Sequence, residues 1–157
     1  MRAGLRRATE DDIPAILADI RPVDEIEMRA LGTTPESAMR EGLGLSDFVL
    51  TGTIDGAPVC MLGVAPHNIL LGHGSPWMLA SSAIESAQVP FLRACRPVVA
   101  EMRRRYPLLA NVVHAENRAA IRWLRWVGFR FCMEANGEAM QVREINGHPF
   151  HVFFLGE

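Results

Sequence analysis

The sequence carries no charged residue between Asp55 and Glu85. A solvent-facing stretch of that length would hold several charges, so most of this one lies inside the fold. Pro58, Pro66 and Pro76 interrupt it, as do Gly56, Gly63, Gly72 and Gly74. That punctuation excludes a membrane-spanning helix and leaves two buried strands joined by a loop. Buried strands oblige a sheet to be built around them. The 157 residues are 49% apolar, enough for one compact domain over residues 1–157 with a sizeable core.

The rest of the chain supplies that sheet and its cover. "GLRRAT" reads as a first strand, and Thr9 caps a helix over Asp11 to Ala18, with Asp12 placed to meet the unpaired N–H groups of the first turn. "PVDEIEMRALG" puts Val23, Ile26 and Ala30 on one helical face and stops at Gly32, and "PESAMREGLG", capped by Thr34, makes a second short helix. Asp55-Gly56 turns a hairpin between strands Phe48 to Ile54 and Pro58 to Val64. "PWMLASSA" is a fourth strand. Val89 to Tyr106 forms a long helix that buries Leu92, Cys95, Val99, Met102 and Tyr106 and bends at Pro97. "LANVVHA" is a fifth strand, "NRAAIRWLRWVGF" a helix closed by Gly128, and Phe129 to Met133 a sixth strand; Asn146-Gly147 turns a last hairpin. This order predicts an α+β fold, a mixed central sheet of six to seven strands with helices on both faces.

Several function classes drop out on composition. Cys60, Cys95 and Cys132 are odd in number and far apart, as reduced core thiols are. His67 and His73 share a loop with no Cys or carboxylate at ligand spacing, so no metal site is expected. All sixteen basic residues are arginine, which excludes a Walker phosphate loop. Through residue 92 there are six Arg against twelve acids, and from Arg93 onward ten against six. The net charge of −2 gives no global basic footprint, which argues against nucleic-acid binding. The basic "MRAGLRR" is not followed by an apolar h-region, so neither a secretory signal nor a membrane span is expected.

The element order, "RRATEDDIPAI" and "NRAAIRWLRWVGF" together resemble the GNAT superfamily of acetyl-CoA-dependent N-acetyltransferases. With "PWMLASS" and "YPLLANVVHAEN" the chain looks most like the divergent phage-encoded branch, similar to the internal virion protein A family of short-tailed phages. The resemblance implies a pantetheine arm between two splayed parallel strands, here Met78 to Ser82 and Asn111 to Ala115, and a phosphate loop within Ala83 to Pro90. It assigns acetyl-CoA to Leu79, Ala80, Ser82, Gln88, Arg93 and Asn117. The loop departs from the family pattern, because "AIESAQVP" has no glycine, carries Glu85 and loses an N–H at Pro90. Leu124 stands where many members have the Tyr that protonates the departing thiolate.

His114 ends a strand beside the implied cleft and Glu27 lies on the acceptor side, so these two are the candidate catalytic groups, each open to a structural reading as strand-end or surface residue. Asn117 serves equally as a helix cap. Trp77 lines an acceptor pocket or fills the core. Arg118, Arg122 and Arg125 share a helix face that suits an anionic partner, or is simply solvated. Two functions follow from the resemblance. One is a phage protein with a degenerate acetyl-CoA site, in the virion or host cytoplasm, that meets other virion proteins through the arginine face. The other is a working acetyltransferase on a small-molecule or protein amine.

Overall fold

A computed structural model describes all 157 residues. Its order is β1 (Ala3–Arg7), a 3-10 turn (Glu10–Asp12), α1 (Ile13–Leu17), α2 (Pro22–Ala30), α3 (Pro35–Leu45), β2 (Phe48–Ile54), β3 (Ala57–Asn68) and β4 (His73–Ala80). A 3-10 helix (Ser82–Ala87) then leads into α4 (Gln88–Arg105), β5 (Leu108–His114), α5 (Arg118–Val127), β6 (Arg130–Phe131), β7 (Arg143–Ile145) and β8 (His148–Gly156). The sheet runs β1-β2-β3-β4-β5-β8-β6, with β7 also on β8. Its eight strands exceed the expected six to seven because the short β6 and β7 both pair with β8. Only β4 and β5 are parallel.

Local chemistry sets the turns. Asp55 and Asn146 take positive φ and each is followed by a positive-φ glycine, as tight hairpins require. Gly128 ends α5 at φ 118°, its N–H reaching back to the Leu124 and Arg125 carbonyls. The opening helix is shorter than expected. Asp12 explains why: its carboxylate accepts Thr9 N–H, the Nη1 and Nη2 groups of Arg6 and the Thr51 hydroxyl, so the chain pivots there into a 3-10 turn before α1.

Two cores flank the sheet. The larger one packs α4 and α5 through Phe91, Cys95, Val99, Met102, Ile121 and Leu124, and the smaller one seats Ile13, Ile16 and Met39 on Met61 and Leu79. The sequence reading of α4 holds for Cys95, Val99, Met102 and Tyr106, while the helix starts one residue earlier at Gln88, Leu92 is only half-buried, and Phe91 and Val98 join the buried side. The reading of α2 is corrected. Ile26 is 49% exposed, and the face turned inward is Asp24, Glu27 and Ala30. Two carboxylates displace apolar residues from the buried face because they have specific partners there. No helix is long and apolar enough to cross a membrane.

Candidate active site

The β4–β5 ladder closes for only two pairs, His73↔Leu108 and Gly74↔Leu109, before the strands part. Pro76 has no N–H to offer the ladder. Asn111 then terminates it with both ends of its side chain: Nδ2 donates to the Pro76 carbonyl at 2.8 Å, and Oδ1 accepts the N–H of Val112 at 2.8 Å. Ser75 Oγ adds a bond to the Ala110 carbonyl. At the zipped end Gly74 leaves room for the Tyr106 ring, which a Cβ would strike.

Beyond the split, α2 stitches the free strand edges. Asp24 Oδ2 accepts the N–H of Ala80 on β4 at 2.9 Å, and Glu27 Oε1 accepts the N–H of His114 on β5 at 2.7 Å. Spacing of three places both carboxylates on one helix face, so one helix holds both strands apart. Asp24 is 1% exposed and Glu27 8%. The Arg21 guanidinium grips Asp24 with Nε at 3.1 Å and Nη2 at 2.8 Å. Burial nevertheless raises the Asp24 pKa from its ordinary value, against the pull of Arg21 and the Ala80 N–H. Burial also pushes Glu27 up to about 7; the Asp24 charge adds to the rise, while the His114 N–H, the Asn117 side chain and Arg21 hold it back.

A cavity of about 120 Å³ occupies the gap. Arg21, Asp24, Glu27, Met28 and Trp77 line it toward α2, and Cys95, Val99, Asn117, Leu124 and Phe153 toward α4 and α5. A second hollow of about 270 Å³ lies between the start of α4 and α5, lined by Glu85, Gln88, Arg122, Trp123 and Trp126. Arg21, Met78, Ala120 and Trp123 border both, so the two form one cleft. Because Ala80 turns its N–H away from β3, strand alternation turns Met78 the same way, and its main chain faces the gap.

The structure brings Glu27 and Asn117 together in the gap and sets Gln88 at the second hollow. Asn117 is also a cap, its Oδ1 accepting the N–H of Ala120. Other expected site residues are placed differently. His114 gives Glu27 its main-chain N–H, while its imidazole lies against Phe150 and His148 and lines neither hollow. Its Nδ1 accepts the N–H of Glu116 at 3.1 Å, so the ring proton sits on Nε2, directed at His148 Nδ1. A ring so engaged has no free lone pair for a substrate. Leu79 packs into the smaller core, Ala80 is held by Asp24 and Arg21, and Ser82 donates its N–H to the Asp19 carbonyl. Arg93 is exposed and lines neither hollow. Arg122 lines the second one instead, a role hidden in the sequence because it also shares the outward spacing of Arg118 and Arg125. The glycine-free loop is wound into the 3-10 helix, with Ser81 capping it and Ile84 and Ala87 drawn into the core.

No family sequence model and no curated protein sequence matches the chain. Solved structures do. A GCN5-related N-acetyltransferase from Kribbella flavida superposes with a TM-score of 0.66 at 19% identity, over 99% of this chain and 98% of that one. The ribosomal-protein-S18-alanine N-acetyltransferase from Escherichia coli gives 0.62 at 14% identity, over 98% and 93%. The Salmonella typhimurium protein yncA, solved with acetyl-CoA, gives 0.62 at 13% identity, over 98% and 93%. Coverage of this extent, with the split β4–β5 pair at its centre, identifies the fold as that of the GNAT acetyltransferases.

Proposed function

We propose that the protein transfers acetyl from acetyl-CoA to an amine, with Glu27 as the base and a weakened pyrophosphate site. The observation that carries this reading is the buried Glu27 carboxyl, poised to ionise at about pH 7 at the strand split. The gap and the Met78 main-chain edge fit the slender acyl-carrying arm of the cofactor. The phosphate end fits less well. Its amides lie in a 3-10 helix, Pro90 has none, and Glu85 brings a negative charge, leaving Gln88 and Arg122 as the donors.

Bound acetyl-CoA supplies an activated thioester. The bound ammonium first gives its extra proton to solvent; Glu27 then takes a proton from the neutral amine as its nitrogen bonds to the acyl carbon and the carbon–sulfur bond breaks. Asn117 and the His114 N–H hold the carboxylate in place meanwhile. Leu124 offers no proton at the sulfur, so Glu27 returns the one it took, and the products are the amide and the free thiol. Titration calorimetry with acetyl-CoA tests the binding half. Saturable binding with Kd of about 0.1–1 mM is expected, weakened about tenfold in Arg122→Glu and unchanged in Arg93→Ala. Micromolar affinity would remove the weakened pyrophosphate site; no heat at millimolar ligand would remove the whole reading.

One observation favours a second reading, a structural role in a phage particle. Arg118, Arg122 and Arg125 are exposed, and none has a carboxylate partner. Reversing all three to Glu should then abolish co-purification with phage particles at nearly unchanged thermal stability, since exposed charges contribute little to folding. Equal incorporation of mutant and wild type would rule this role out for the helix.

A further inference from the structure

Resting on the acetyltransferase reading, we propose that the acceptor is a primary amine carried on a compact aryl or alkyl body with no carboxylate or phosphate of its own. On the α2 side the cavity is walled by Met28, Leu31, Trp77 and Val112, all half-buried. Trp77 is a fixed wall. Its Nε1 donates to Ser46 Oγ at 2.8 Å, and its six-membered ring lies so close to Gly42 that any Cβ there would collide with it. A glycine inside α3 weakens that helix by about 1 kcal/mol relative to alanine, and at Gly42 it makes room for the indole. The α2 end of the wall is pinned as well, because Asn146 Nδ2 in the β7–β8 turn bonds the Ala30 carbonyl beside Leu31.

Charge decides the rest. The ionisable groups other than the Cys95 thiol lining this cavity are Arg21, Asp24 and Glu27. Arg21 is already bound through two nitrogens to Asp24, so an anionic group on the acceptor finds no free cation and meets the carboxylate of Glu27. An ammonium group finds the opposite field.

The test compares phenethylamine with phenylalanine, which has the same ring and an added carboxylate. Ligand-observed NMR follows binding without acetyl-CoA, and thiol release follows transfer with it. Phenethylamine should bind, and its kcat/KM should exceed that of phenylalanine by at least about tenfold, a difference that one unpaired charge readily supplies. Trp77→Ala should raise its KM about tenfold, and Trp77→Phe should restore most of the loss. Equal use of phenylalanine, or a folded Trp77→Ala with unchanged amine binding, would overturn the proposal. Amine binding that depends on Trp77, with no thiol released from any amine, would keep the ligand class and overturn only the transfer reading.

Discussion

Glu27→Gln is expected to be more stable than the wild type at pH 8 and inactive in acetyl transfer. Glu27 has its pKa raised from 4.5 to about 7 in the folded state, so folding favours its protonated form. The stability it contributes is complete below pH 4.5 and is lost as pH rises through about 7. At about 1.4 kcal/mol per unit, ionising the buried group costs the wild type ~3 kcal/mol at pH 8. Glutamine stays neutral and keeps a carbonyl oxygen for the His114 N–H, so it avoids that penalty without orphaning the strand end. Thermal melts should place the Glu27→Gln variant above wild type by roughly 5–10 °C at pH 8 and level with it at pH 4. Melts that coincide at pH 8 would mean Glu27 is not a strained buried acid.

Asp24→Ala should be the most damaging single change in the cleft, lowering stability by about 3–5 kcal/mol. It would leave Arg21, whose side chain is 11% exposed, with an uncompensated charge, and would orphan the Ala80 N–H. The exposed pair Arg29–Glu25 is the control, since Arg29→Ala should change stability by less than about 1 kcal/mol. Urea unfolding measures both. An Asp24→Ala loss no larger than that of Arg29→Ala would show that Asp24 does not hold β4 to α2.

Much of the fold was legible because it is written in local chemistry. Asp55-Gly56 and Asn146-Gly147 specify their hairpins through backbone conformations few other pairs adopt, and Asn117 and Gly128 bracket α5 with a cap and a stop. The split between β4 and β5 was expected from resemblance, and its cause in Pro76 and Asn111 emerges only when the two strands lie side by side. The inward face of α2 was misread for a physical reason. Hydrophobic periodicity assigns Ile26 to the core, whereas Asp24 and Glu27 are buried by partners 56 and 87 residues away. Such pairings have no local signature.

The candidate site divided along the same line. Glu27, Asn117 and Gln88 line the cleft; Asn117 caps α5 and Gln88 opens α4, whereas Glu27 lies within α2. Arg93 and Arg122 are both surface arginines in sequence, and only the packing of α5 against the start of α4 selects Arg122. The His114 ring was beyond reach for a different reason. Strand alternation sends side chain and N–H in different directions, and here it is the N–H that meets the carboxylate.

The pH dependence of thiol release from acetyl-CoA, measured at saturating amine, tests most directly whether Glu27 drives transfer. The account predicts a rate that rises through a single ionisation near pH 7, a midpoint that moves lower in Asp24→Asn as the neighbouring charge is removed, and a loss of at least about a hundredfold in Glu27→Gln. A profile without that ionisation, or a Glu27→Gln protein that releases thiol at the wild-type rate, would contradict it.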